Sequence, residues 1–389
     1  MPSKGGLYSF SIFWTMNLGF LYFIFITLAY GAPTSDLDLA LPSRPNTETE
    51  LLYALSRQDE LDRSPLVKRG SSPDLYAKGW LIGPDSHGNT IYAFGSNENS
   101  LPKGIVKVGK KINAGGAATI LQASLLTFNR PRAVGKNTAS RSWGGNPVGN
   151  EAVQYDLVAK DSYLSLAYKS VHIMEMLEPS KTVPRVYKAL LVPADEDYCG
   201  DNSENGSIVV MEKLYKDAAS MLRRYNAARA RHDPQYRLFN RLIMMQQFVK
   251  GLDYAHDLGI AHKDAHLGNL MSTFQPDQWK IIDWDFSTDY GRKPKFAGDV
   301  ENAGLSLLYA GVPRLQERIY QRRLTSILSK PRSPTNVKET LEDLFDLEGY
   351  DEFLTLVGKT TCEQSKRLTM KEFYSELQNF EANDLPFIE

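Results

Sequence analysis

Cysteine is almost missing from this chain: 389 residues carry two, Cys199 and Cys362. A disulfide-stapled scaffold is therefore excluded, and 42% hydrophobic residues supply a core for one large or two modest domains instead. The two thiols either pair or stay free, and a domain of this size does not need the bridge. An excess of charge is lacking too, because 45 Lys and Arg stand against 46 Asp and Glu for a net charge of -1. Phosphate-backbone binding normally draws on a basic surplus, so nucleic acid is not the expected partner. No internal repeat is visible, which sets repeat architectures aside.

What is present begins at the amino end. Lys4 precedes an apolar run from Leu18 to Ala29 (LGFLYFIFITLA), followed by Tyr30-Gly31-Ala32. The pattern is that of a secretory signal peptide over residues 1–31, cleaved near Gly31. The apolar tract also extends back to Leu7 and is long enough to span a bilayer as an uncleaved anchor. Asn17 and Gly19 interrupt it and favour cleavage, which would leave no stable membrane association. Either alternative places the rest of the chain in the secretory-pathway lumen or outside the cell. Residues 32–71 are polar and contain proline, as expected of a disordered pro-segment or linker. They end at Lys68-Arg69-Gly70, a dibasic pair suited to a processing protease. Asn205-Gly206-Ser207 is a glycosylation sequon in a polar stretch.

The chemistry concentrates between Leu252 and Ser287. Asp264 and Asn269 lie five apart on a loop bracketed by Gly259 and Gly268, and Asp283 follows the apolar pair Ile281-Ile282, with Trp279 just before. The latter reads as a short buried strand. Asp283 and Asn269 offer hard oxygen ligands for Mg²⁺, while Asp264 can accept the proton of an attacking hydroxyl. Upstream, Asp233-Pro234 signals a helix start. Leu238, Leu242, Met245, Val249 and Leu252 then recur in steps of four and three, forming one apolar helix face that delivers the loop.

His262, Asp264 and Asn269 meet the pattern H-x-D-x-x-x-x-N, and Asp283-Trp284-Asp285 stands where D-F-G is usual. In these motifs the chain resembles the protein-kinase-like family. The resemblance implies an α+β, bilobal protein-kinase-like fold, with a β-rich small lobe over 72–210 and a hinge and helical large lobe over 211–389. It implies ATP and Mg²⁺ as cofactors. Tyr92–Phe94 and Ile105–Val108 are strand candidates leading to a phosphate-covering turn, where Gly115 fits the central glycine, Gly116 follows it, and Asn113 and Ala118 replace the outer glycines. Ala133-Val134-Gly135-Lys136 is similar to the phosphate-lysine motif, at 136 − 113 = 23 residues beyond Asn113, which makes Lys136 the expected lysine. The helix from Tyr163 to Leu177 resembles the family's C-helix, with Ser170 where a glutamate is usual and Glu175 or Glu151 as substitutes. Val183–Tyr187 and Ser207–Met211 read as strands. Met211 would be the gatekeeper, and the C=O of Glu212 and N–H of Leu214 would take the adenine edge.

His266 replaces the usual phosphate-contacting lysine and is closer to aminoglycoside and choline kinase relatives. Asp299, which opens an apolar helix, resembles the aspartate that braces the catalytic loop. Only 299 − 283 = 16 residues separate it from Asp283, with no Ala-Pro-Glu signature, so the usual peptide platform is reduced. Lys366 to Glu372 looks like the K-R-x-T-x-x-E stretch that closes protein-kinase domains, and it favours a protein Ser/Thr hydroxyl as acceptor. A small-molecule kinase and a non-catalytic binding module are the alternatives. A monomer is expected.

Overall fold

The computed structural model describes residues 75–95, 101–114, 118–128, 152–192, 206–229, 240–275, 277–287, 296–312, 333–345, 347–381 and 385–386. The chain divides into residues 1–50 and 51–389, and every described residue belongs to the second unit. Gly115, Gly116, Lys136, Glu151, Cys199, Asn205, Asp233, Pro234 and Leu238 lie outside the described residues, as do the amino-terminal apolar run and the dibasic pair.

Seven strands form the first layer: β1 (Tyr76–Pro84), β2 (Thr90–Gly95), β3 (Gly104–Ala114), β4 (Ala118–Thr127), β5 (Ala152–Tyr163), β6 (Val186–Val192) and β7 (Gly206–Glu212). Neighbours are antiparallel from β1 through β5, then β5 pairs with β7 and β7 with β6. A parallel seam, Tyr76 opposite Ala189 and Lys78 opposite Leu191, joins β6 back to β1. The strands thus close into a barrel of order β1-β2-β3-β4-β5-β7-β6. Side chains alternate across each strand. Leu157 and Ala159 of β5 and Ile208 and Val210 of β7 fill the barrel interior. Val158, Val209 and Met211 point the other way, into a core shared with the helices.

This closure corrects the expected bilobal, kinase-like α+β arrangement of a β-rich small lobe over a helical large lobe. The difference lies in the first strand. β1 reads YAKGWLIGP, with two glycines and a proline, a poor strand by propensity. Gly79 serves the seam: a Cβ there would stand 3.0 Å from Val192 Cγ1 and 3.2 Å from Leu190 Cβ. Without a side chain at that point, β1 can lie against β6 and remove both sheet edges.

The helices are α1 (Leu164–Leu177), α2 (Ala218–Arg229), α3 (Arg241–Asp257), α4 (Ala297–Gly311), α5 (Pro334–Phe345), α6 (Asp351–Thr361) and α7 (Met370–Leu377). A small sheet of β8 (Lys216–Asp217), β9 (Leu270–Ser272) and β10 (Trp279–Ile281), ordered β10-β9-β8, lies among them. α3 begins at Arg241 with Asn240 as its cap, the side chain accepting the Ile243 N–H at 3.0 Å. Leu242, Met245, Val249 and Leu252 are all buried, as their spacing predicts.

The 366–372 stretch has a structural use. Thr369 and Glu372 form a reciprocal capping box at the start of α7. Arg367 donates to the carbonyls of Cys362 (2.7 Å) and Ala297 (3.0 Å) and pairs with Glu301 at 2.9 Å, tying α6 to α4. Cys362 is a buried free thiol. Ser207 is a buried residue of β7 rather than part of a polar loop, its hydroxyl donating to Ser162 O at 2.8 Å. Among the described residues, no helix is long and apolar enough to cross a membrane.

Candidate functional site

The site starts where α3 stops. Gly259 adopts a φ of 78°, which places the Ile260 N–H on Ala255 O and the Gly259 N–H on His256 O, each at 2.9 Å. This left-handed ending turns the chain sharply into the loop that follows. Asp299, in the first turn of α4, then pins that loop. Its two oxygens accept the N–H groups of His262 and Lys263, both at 2.7 Å, and Oδ2 also lies 3.0 Å from His256 Nε2. Lys263 itself is left-handed, with a φ of 68°.

His262 is fully buried and joins the loop to the strand end. Its Nδ1 faces the Asp264 N–H at 3.3 Å, which assigns the ring proton to Nε2 and lets that nitrogen donate to Ile282 O at 2.9 Å. Burial outweighs the nearby carboxylates and lowers its pKa, so the ring stays neutral. On the other side, the Ile282 N–H donates to Asn269 O at 2.8 Å. The loop and the residue preceding Asp283 are thereby held together from both flanks.

Within this frame, Asn269 Nδ2 donates to Asp264 O at 2.9 Å and to Asp264 Oδ2 at 3.0 Å. His266 accepts the Gly268 N–H at 3.0 Å and presents Nε2 to Asp264 Oδ2 at 3.5 Å. The hydrogen bond from His266 is the main reason the Asp264 carboxyl is held below its usual range, against the effect of burial. Asp283 is left-handed, with φ of 63° and ψ of 58°, an uncommon conformation for a residue other than glycine. Its side chain remains 38% exposed. Asp264, His266, Asn269 and Asp283 therefore gather at one junction.

The lysine that meets them is Lys160 on β5. It lies on the same outward face as Val158, and its Nζ is 3.0 Å from Asp283 Oδ1 and 2.8 and 2.7 Å from the two oxygens of Asp285. Burial opposes the Lys160 charge, yet Asp283 and Asp285 outweigh it and raise its pKa. Burial likewise pushes the Asp285 carboxyl up. With both its oxygens on the ammonium, the arrangement is that of a charged pair. The spacing argument pointed instead to Lys136, in a segment outside the described residues. In the sequence the mark of Lys160 is the run 157–160, Leu-Val-Ala-Lys, an apolar stretch ending in lysine inside β5, which itself continues to Tyr163.

Ser170 of α1, where a glutamate was expected, is buried and hydrogen-bonds Asp285. Glu175 is not a substitute, because it takes the Tyr76 hydroxyl at 3.3 Å. Met211 is buried on the outward face of β7, opposite Val158. Glu212 ends that strand and accepts from Lys280 Nζ at 2.6 Å and the Arg185 N–H at 3.1 Å. Leu214 is half-buried in the link to β8. Asn113 is exposed near the end of β3, its side chain accepting the Ala114 N–H at 2.9 Å.

The donors fit a small divalent cation. The amide of Asn269 gives its N–H groups to Asp264, which leaves its carbonyl oxygen as the ligand atom. Asp283 is partly open, with Oδ1 on Lys160 and Oδ2 as a second oxygen. Among the described residues no group of three or more His, Cys, Asp or Glu is arranged for a metal. Two protein oxygens with the remainder from phosphates and water is the usual Mg²⁺ arrangement on nucleotides. No protein-family model matches this chain, and no curated protein is significantly similar to it.

Proposed function

We propose that the chain is an ATP- and Mg²⁺-dependent phosphotransferase acting on hydroxyl groups in the secretory pathway or outside the cell. The observation that carries this reading is the junction itself: a lysine, two carboxylates and a carboxamide held by a separate set of buried hydrogen bonds. Asn269 and Asp283 would hold Mg²⁺, which supplies charge neutralisation along the phosphates when bound. Lys160 orients phosphate oxygens, being held charged and partly buried on the outward face of a barrel strand. Asp264, ionised at neutral pH, accepts the proton of the incoming hydroxyl. Asn269 keeps Asp264 in register through its Nδ2. Met211 and the backbone of Glu212 and Leu214 lie on the way out of the barrel and would flank the base.

The preferred acceptor is a protein Ser/Thr hydroxyl. A second reading, a small-molecule hydroxyl, is favoured by His266 lying 3.5 Å from Asp264, where protein kinases carry a lysine. Transfer of γ-labelled phosphate to a panel of proteins and to a panel of amino-alcohols and sugars tests both readings. The wild type should label one panel, and Asp264→Ala should lower the rate about 10³-fold, the scale of a lost general base. No transfer to either panel would overturn the enzyme and leave a binding module.

A further inference from the structure

We propose that Asp285 is a positioning residue that holds Lys160 for its phosphates, so that the lysine's counter-ion comes from the strand-end segment and not from helix α1. The inference rests on the phosphotransferase reading and concerns how that site is kept assembled. Asp285 follows Asp283 by two residues within the turn Trp284–Phe286 and is 3% exposed at its side chain. Both of its oxygens lie on Lys160 Nζ, whereas Asp283 offers only Oδ1. A carboxylate closed in this way has no face left for a cation, so the two acids of Asp-Trp-Asp divide the work. Asp283, 38% exposed, faces the nucleotide, and Asp285 faces the lysine.

The helix confirms the division by what it offers. α1 presents Ser170, a neutral hydroxyl, to Asp285, and its Glu175 is engaged by Tyr76. The segment that follows Asp283 is itself fixed: Trp284 is fully buried and donates through Nε1 to Ile281 O at 3.1 Å, and the Ser287 hydroxyl donates to Trp284 O. Lysine, its counter-ion and the cation ligand thus belong to two rigid pieces, β5 and the β10 end. Movement of α1 withdraws no charged partner from the lysine; what the helix contributes is the neutral Ser170 hydroxyl on Asp285.

The test compares wild type, Asp285→Asn and the milder Ser170→Ala in the full chain. Two measurements are made: the affinity for ATP and for adenosine at several Mg²⁺ concentrations, and the rate at which an amine-directed acylating reagent modifies Lys160, read by peptide mass spectrometry. In Asp285→Asn the ATP affinity should fall about tenfold, with adenosine binding and the Mg²⁺ dependence unchanged, and Lys160 should label about tenfold faster because only the single Asp283 oxygen is left to hold its charge. Ser170→Ala should move both in the same direction by about threefold with adenosine binding retained, which unfolding would abolish. A shifted Mg²⁺ dependence with unchanged Lys160 labelling would make Asp285 a cation ligand and overturn the proposal. Unchanged labelling in both variants would overturn it equally. The labelling readout needs no nucleotide, so a wild type that fails to bind ATP sinks the phosphotransferase reading while the role of Asp285 is still decided.

Discussion

Two carboxylates, Asp299 in the first turn of α4 and Asp283 just beyond β10, are held in opposite ways. Asp299 is 1% exposed and accepts two backbone N–H groups at 2.7 Å, with a histidine at 3.0 Å. Asp283 is 38% exposed, shares one oxygen with Lys160 and sits in a left-handed backbone conformation. The first is satisfied within the fold, and the second is left open by it. Buried charge is costly unless its hydrogen bonds are complete, so a closed carboxylate belongs to the architecture. An open one in a strained conformation is held for something outside the fold. The bracing set of His256, His262 and Asp299 therefore reads as the frame, and Asp264, Asn269, Asp283 and Lys160 as the site it carries.

Exchanging the two kinds of group is the direct way to break this comparison. The largest effect on stability is expected from Asp299→Ala. It leaves the buried His262 N–H and the part-buried Lys263 N–H without their acceptor and should cost about 3 kcal/mol. Urea unfolding would show this as a lower midpoint at an unchanged slope. A midpoint equal to the wild type's would remove the distinction between frame and site.

Glu175 is an intermediate case, partly buried with a single hydroxyl donor, and it sharpens the scale. Burial is the main cause that raises its pKa from 4.5 to about 7. A carboxyl raised on folding binds more protons folded than unfolded, so its contribution is complete below pH 4.5 and is lost as pH rises through about 7. Thermal melting across that window should show stability declining with pH, and Glu175→Gln should flatten the slope. A slope unchanged in the variant would place the titrating group elsewhere. The smallest stability effect is expected from Asp264→Ala, the variant that should slow the proposed transfer about 10³-fold. Its loss should stay under about 1.5 kcal/mol, because the partners it gives up, Asn269 Nδ2 and His266 Nε2, meet it at a part-exposed position.

The helical half of the site was readable in the sequence because its signals are local. Leu242, Met245, Val249 and Leu252 mark the buried face of α3, Gly259 marks its end, and Asp264 and Asn269 keep a fixed interval on one loop. The barrel was not readable for the opposite reason. Its closure depends on β1 meeting β6 more than a hundred residues later in the chain, through a glycine whose role is to be small at one contact. Lys160 was missed because the spacing from Asn113 counts residues along the chain, while the lysine's place is set by β5 lying between β4 and β7. Asp285 went unremarked as a lysine partner since its two-residue offset from Asp283 says nothing about which way each acid faces. The 366–372 stretch was legible as a motif, and within the fold it also caps α7 and clamps α4 through Arg367.

The most direct test of the central claim is equilibrium binding of ATP to the full chain, with and without Mg²⁺, for the wild type and Asp283→Ala. The account predicts that Mg²⁺ tightens ATP binding to the wild type and has no such effect on the variant. ATP binding that is undetectable in the wild type, or equally Mg²⁺-dependent in both proteins, would contradict it.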